Sequence, residues 1–275
     1  MPGDYLLGTQ DDELRRLGSQ HRVWAEAVHA SWKRAGFGTG DRIADLGCGP
    51  GFSTVDLGHL VGASGCVVGI DGSDRFLKIL GQRAALEQLT NIETVCGDVQ
   101  ALELEEASLD GAYARWIFCF LSEPRRTLCA LAKALRPGAR LVVLDYFNYT
   151  SMTFAPPSVA MGHVLRAVKD SWRAGGGNLD IQAELPRLGQ ECGFALEWVR
   201  AIVEVARPGE PTWEWPRTFF ANYVPRLVAE GRISDGMAQT FAEDWREREG
   251  RADTFLQLPP MYEIGLRRVA DQAAR

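Results

Sequence analysis

Three aspartates and a run of glycines are the residues of this chain whose types and spacing most clearly imply chemistry. The run Asp45-Leu46-Gly47-Cys48-Gly49-Pro50-Gly51-Phe52 follows the short apolar stretch Arg42-Ile43-Ala44, and reads as a strand end, a tight turn and a helix start. Gly47 and Gly49 permit backbone conformations that a side chain forbids, and they let a ligand lie against the main chain. A dinucleotide fingerprint, G-x-G-x-x-G/A, would place a small residue at position 52. Phe52 stands there instead, so that fingerprint fails. Asp71 ends the next apolar run, Val67-Val68-Gly69-Ile70-Asp71-Gly72, where a carboxylate can accept both hydrogen bonds of a ribose diol. Asp98, in Cys96-Gly97-Asp98-Val99, can accept from an exocyclic amine such as adenine N6. One strand-end aspartate often does no more than cap the next helix. Three such features in order, each at the carboxyl end of a strand, point to a ligand site.

The elements that must position these residues alternate along the chain. Candidate strands lie at 42–46, 66–71, 92–96, 109–115 and 139–145, with helices at 52–61, 74–89 and 124–135 between them. The last of these helices starts on Pro124 and stops at Arg136-Pro137-Gly138. Such alternation gives a parallel sheet with helices on both faces. Residues 11–35 form a preceding helix, broken by Gly36-Phe37-Gly38-Thr39-Gly40. After Asp145 the pattern changes. A helix is expected at 158–173, another at 180–192, a strand at 195–205 and a last strand at 262–269. Residues 207–257 are rich in aromatic rings, among them Trp213, Trp215, Phe219, Phe220 and Tyr223.

At these motifs the chain resembles the class I S-adenosylmethionine (SAM)-dependent methyltransferases, over about 40–145 and more weakly to the final strand. That family's first motif, E/D-x-G-x-G-x-G, is matched by Asp45, Gly47, Gly49 and Gly51. The resemblance implies SAM as cofactor. Asp45 would orient its methionyl amino group, Gly47 and Gly49 would pass beneath it, Asp71 and Gly72 would lie at the ribose, and Asp98 with Val99 would meet the adenine. The fourth motif resembles Leu109-Asp110-Gly111-Ala112-Tyr113-Ala114-Arg115-Trp116-Ile117, which sets Arg115 and Trp116 near the methionine part. The leader segments Tyr5-Leu6-Leu7-Gly8 and Arg16-Leu17-Gly18-Ser19-Gln20 resemble those of a bacterial small-molecule subgroup, in which a tyrosine and a glutamine close over the cofactor; Tyr5 and Gln20 would take those places.

The expected architecture is α/β: a Rossmann-like, doubly wound, mainly parallel seven-stranded sheet with an antiparallel last strand. It is read as one domain over 1–275. Residues 1–39 form an N-terminal helical lid and 40–145 the SAM-binding core. Lid insertions follow at 146–178 and 207–257, and 179–206 with 258–275 complete the core. Ligands of open α/β sheets bind at the carboxyl ends of the strands, beneath such a lid.

Methyl transfer is a displacement on an activated sulfonium, so positioning dominates, and a base is needed only where the acceptor keeps its proton. His163 in the first insertion is the candidate base, with an exposed helix histidine as the alternative. Tyr146 and Tyr149 directly follow the fifth strand and are candidates for acceptor contact, with lid anchoring as the alternative. Arg115 pairs either with a carboxylate of ligand or substrate, or with Asp145. His21 is read as a lid contact or a core residue. The aromatic residues at 213–223 suit a small, flat or hydrophobic substrate, and they also give the lid its core.

Composition narrows the class further. Among 275 residues 46% are hydrophobic and 24% charged, enough for a sizeable core. A net charge of -6 and a pI near 5.4 oppose a nucleic-acid partner. No apolar run is long enough for a membrane span, and the acidic N-terminal stretch does not read as a signal peptide. A cytoplasmic protein follows. The six cysteines form no CxxC pair and read as free thiols. No metal-ligand spacing is visible, so no metal is expected. The mixed-charge stretch 243–249 reads as a solvated helix face.

The expected activity is SAM-dependent methylation of an oxygen or carbon centre on a small hydrophobic or aromatic molecule, in specialised metabolism. A SAM-bound cyclase, a non-catalytic SAM-binding protein and an NAD-linked oxidoreductase are the rivals. A homodimer through the apolar lid is left open.

Overall fold

A computed structural model describes residues 11–270 of the chain. Tyr5 lies outside the described residues.

Strands β1 (Arg42–Leu46) and β4 (Leu109–Arg115) form the centre of the main sheet. Their side chains are buried almost throughout, as expected for strands covered on both faces. β2 (Cys66–Asp71) and then β3 (Ile92–Cys96) add parallel to β1. On the other side β5 (Leu135–Tyr146) adds parallel to β4. The final strand, Met261–Arg268, runs antiparallel between β5 and the strand Phe194–Ile202, which closes the seven-stranded sheet. The mainly parallel sheet with one antiparallel last strand is therefore present.

Register sets the site. Asp45 stands opposite Gly69 on β2 and Tyr113 on β4, and Leu46 opposite Ile70 and Ala114. The carboxyl ends of β1, β2 and β4 are thus level, which brings Asp45, Asp71 and Arg115 to one rim.

Helix α1 (Asp11–Ala35) buries Trp24, Val28 and Trp32 against the core. Its last turn is pinned by Arg34, which donates through Nη1 to both carboxylate oxygens of Glu263 at 2.6 and 2.7 Å. Glu263 is only 2% exposed and also accepts from Trp198 Nε1 at 2.6 Å, so this charge lies inside the fold fully partnered. Helices α2 (Phe52–Val61), α3 (Asp74–Leu86) and α4 (Pro124–Ala134) are the crossovers. Ser73 caps α3 by accepting from Phe76 N at 3.3 Å.

Beyond β5 come β6 (Thr153–Ala155) and α5 (Val159–Ala174). The expected helix at 180–192 is a short 3₁₀ turn, Ile181–Ala183, followed by α6 (Leu185–Glu191), because Pro186 belongs in a first helical turn. In chain order β7 is Phe194–Ile202 and β10 Met261–Arg268. Between them lie β8 (Val205–Ala206), α7 (Pro211–Ala229), α8 (Asp235–Glu249) and β9 (Phe255–Gln257). The strand expected to run to 205 stops at Ile202. Val205 and Ala206 instead join a second sheet, β6-β9-β8, entirely antiparallel. That sheet joins segments about 50 and 100 residues apart, which local patterning cannot foresee.

Two further expectations fail. Cys129 of α4 and Cys192, which follows α6, form a disulfide across 63 residues, so only Cys48, Cys66, Cys96 and Cys119 are free. The packing of α4 on α6 brings the pair together, and sequence spacing gives no hint of it. The stretch 243–249 is solvated only in part. Trp245 and Arg248 are buried, and Arg248 pairs with Asp244 and donates to the carbonyl of Pro157 at 3.1 Å. Among the described residues no helix is long and apolar enough to cross a membrane.

Candidate functional site

The glycine turn is held from below by an acid. Asp71 accepts from Gly49 N at 2.9 Å and from Ser73 N at 2.8 Å, so its carboxylate fixes both the turn and the start of α3. Burial pushes its pKa up. Gly47 has φ +60°, and a Cβ there would meet the Ile117 side chain at 2.3 Å. Gly49 has φ +55°, yet an added Cβ would meet nothing within 4 Å. Gly47 is thus required by its neighbour as well as its backbone. Gly49 instead faces open space, a cradle in which a ligand can lie on the main chain.

Asp45 is buried beneath this turn and accepts from Thr54 Oγ1 at 2.7 Å. Burial raises its pKa from 3.8 to about 7, against the lowering effects of the Thr54 bond and the Arg115 charge. Arg115 carries a buried Nη1 without a hydrogen-bond partner. Among the described residues no ion pair joins it to Asp145, which instead accepts from Cys119 N at 3.0 Å and Tyr146 N at 2.9 Å. A carboxyl and an unpartnered guanidinium N–H therefore lie at the ends of adjacent strands, complementary to the ammonium and carboxylate of an amino acid. The cradle, this pair and Asp71 fit the SAM expected from sequence.

The turn opens into a cavity of about 1190 Å³. Gln20, Asp45's turn, Asp71, Gly72, Asp98, Val99, Arg115 and Trp116 meet around it, although Asp45 itself lies behind the wall. Asp98 uses Oδ1 to accept from Gln100 N at 2.8 Å, and its side chain is otherwise exposed. Gln20 accepts from Arg16 Nη1 at 3.4 Å, within the part of α1 that borders the cavity.

An aromatic wall follows. Trp116 is stacked between Tyr146 and Trp215, with centroids at 5.9 and 5.8 Å, and Trp24 of α1 meets both indoles edge-on. Trp116 has φ +50°, a left-handed conformation that a bulky side chain adopts only when its surroundings enforce it. Tyr146 and Tyr149 also line the cavity, and burial pushes both phenols well above their ordinary pKa. They keep their protons at neutral pH and are suited to donate a hydrogen bond, not to accept a proton. His163 does not border the cavity. It is exposed on α5, with Nδ1 3.2 Å from Arg166 Nη2, so the expected base has no geometric access.

Sequence reasoning missed Thr54, which partners Asp45, and the polar end of the cavity. There Ser171 Oγ lies 3.0 Å from Tyr223 OH and donates to Glu230 Oε2 at 3.0 Å, and Glu230 also accepts from Arg226 and Arg232. No motif joins these residues, because they come from α5, α7 and the loop after α7. Among the described residues no group of three His, Cys, Asp or Glu could hold a metal ion.

Residues 44–143 match a family model described as a methyltransferase domain. An uncharacterized 37.1 kDa protein of transposon TN4556 from Streptomyces fradiae is 31% identical over 199 residues, covering 70% of this chain and 56% of that protein. The demethylmenaquinone methyltransferase of Lactococcus lactis subsp. lactis is 34% identical over 126 residues, covering 46% of this chain and 49% of that enzyme. The chain spans about half the length of the curated relatives it matches. Among solved structures, geranyl diphosphate C-methyltransferase from Streptomyces coelicolor A3(2) aligns with a TM-score of 0.58 at 15% identity. That alignment covers 94% of this chain and 85% of that one. At this identity the likeness concerns the fold.

Proposed function

We propose that this chain, a class I SAM-dependent methyltransferase by its motifs, fold and domain match, methylates an oxygen or carbon centre of a small hydrophobic or aromatic molecule in specialised metabolism. The observation that carries the reading is the aromatic wall of Tyr146, Trp116 and Trp215, which begins where β4 ends, directly beside the cofactor turn. When bound, SAM supplies a methyl group on a sulfonium, ready for displacement. Asp45 and Arg115 would hold the two ends of its amino-acid part, Asp71 and Gly72 would lie at its ribose, and Asp98 with Val99 would meet its adenine. Gln20, on the lid helix, would face it from above. The rings flatten the acceptor against one plane, exclude water, and present π faces to a cation. Tyr146 and Tyr149 would donate to an acceptor oxygen. No protein base is assigned, which favours acceptors that ionise or react without one.

Curated relatives act on naphthoquinone-type compounds, which suits a flat acceptor. The test is release of S-adenosylhomocysteine (SAH) from SAM in the presence of naphthols, reduced naphthoquinones and a linear isoprenoid alcohol. Acceptor-dependent SAH with a methylated product is expected. Tight SAM binding with no SAH from any acceptor would reject methyl transfer and leave the cyclase and the non-catalytic reading. The cytoplasmic location and a homodimer belong to the same proposal. Sedimentation velocity decides the dimer.

A further inference from the structure

Phe52 occupies the position that excluded a dinucleotide, and the structure gives the ring a positive task. It is the first residue of α2, next to Gly51 of the turn. On one side it meets α1. A Cβ added to Gly18 would lie 2.8 Å from Phe52 Cζ, so α1 approaches the ring as closely as a glycine allows. One turn further along α1, His21 stacks on the same ring, with centroids 5.6 Å apart and planes at 21°. His21 Nε2 also lies 3.1 Å from Asp56 Oδ2, one turn into α2. Arg83 of α3 sets its Cζ 3.8 Å from the ring centroid. The ring is therefore held between α1 and α3.

The two halves of α1 are held differently. The carboxyl-terminal half is buried through Trp24, Val28 and Trp32 and pinned by the Arg34–Glu263 pair. The amino-terminal half borders the cavity through Arg16, Leu17 and Gln20, and Gly18 and His21 of that half rest on Phe52. We infer that Phe52 is a positioning residue that fastens the cavity-covering end of α1 to the glycine turn, and that spent cofactor leaves only when this contact opens. The helix then closes against the same turn that carries the ligand. This rests on the SAM site and not on the acceptor or on turnover.

The test uses the full chain and SAH as the probe, with binding and release followed by tryptophan fluorescence in stopped flow. Phe52→Ala is expected to raise the SAH release rate about tenfold, with the association rate within about twofold of wild type. Hydrogen exchange of amides 13–21 in the SAH complex is expected to rise while that of 24–34 does not. Gly18→Ala, which forces a Cβ into the ring, is expected to raise the release rate as well. In Gly18→Ala/Phe52→Leu the shortened side chain removes the clashing Cζ, and release is expected to slow again relative to Gly18→Ala alone. This rescue keeps the test open should Phe52→Ala fail to fold. Release rates unchanged within twofold in Phe52→Ala and Gly18→Ala, or a double variant no slower than Gly18→Ala, would overturn the latch. A wild-type protein that does not bind SAH would overturn the site reading and the latch with it; normal wild-type binding beside unchanged variants overturns the latch alone.

Discussion

Replacing Asp45 by Asn should move stability and cofactor binding in opposite directions. The carboxyl is fully enclosed, and burial lifts its pKa from 3.8 to about 7. In the unfolded chain an aspartate titrates at about 3.9. Between those values the folded protein keeps a proton that the unfolded chain has lost. The free energy of unfolding therefore falls as pH rises through this window, and the loss is complete above about pH 7. A shift of roughly three units, at ~1.36 kcal/mol each, amounts to about 4 kcal/mol. Asparagine has nearly the same shape and never ionises, so it escapes the penalty. Urea unfolding of the cofactor-free protein should show Asp45→Asn more stable than wild type by up to about 4 kcal/mol at pH 8.5 and by only about 1.5 kcal/mol at pH 5, where the pH is roughly one unit above the pKa of the unfolded carboxyl. SAM binding should respond in reverse. An ionised Asp45 is what attracts the ammonium, so wild-type affinity should rise with pH through about 7. The variant should lose roughly 1.5–3 kcal/mol of it at pH 8. Parallel unfolding curves for the two proteins across pH 5–8.5, together with a flat wild-type affinity profile, would refute the reasoning.

Other perturbations probe separate parts of the site. Asp71→Ala removes the acceptor of Gly49 N and Ser73 N as well as the expected ribose partner. Calorimetry should show SAM binding weakened by about 2 kcal/mol or more. His163→Ala should leave both SAH production and SAM affinity unchanged, since the imidazole is exposed outside the cavity. A drop in turnover alone would restore it as a base. Tyr146→Phe should slow methyl transfer in single-turnover assays while SAM affinity stays within about twofold, because only the proton donor is removed. Reducing the Cys129–Cys192 bond, which spans 63 residues, should lower the unfolding free energy by about 4 kcal/mol on loop-closure entropy. A thermal midpoint unchanged by dithiothreitol would contradict this.

Legibility followed the distance over which each feature is made. Asp45, Asp71 and Asp98 were readable because each sits at the end of its own strand, and the strand-turn-helix rhythm is written within about ten residues. The central strands were readable for the same reason, since burial on both faces leaves short continuous apolar runs. Of the two partners the sequence offers Arg115, the structure sets aside Asp145, whose carboxylate accepts from Cys119 N and Tyr146 N, a choice made by the packing after β4 and β5 and not by local pattern. His163 has the chemistry of a base and the wrong face of α5. Cys129 with Cys192, and β6 with β9, are products of tertiary packing between distant segments. Phe52 was read only as a departure from a pattern, whereas its neighbours Gly18, His21 and Arg83 come from two other helices.

The small β6-β9-β8 sheet has a consequence for engineering. Its strands come from the segment after β5, the segment after β7 and the approach to β10, and each holds its neighbour by backbone hydrogen bonds. The part of the molecule that the proposed acceptor would face is therefore not a cassette. Grafting residues 211–249 alone from a relative with another acceptor preference would replace two helices and leave them seated on a foreign three-strand floor. A chimera that exchanges all three strands together with their helices keeps that floor intact, and recombination points are best set at the ends of β5, β7 and β9.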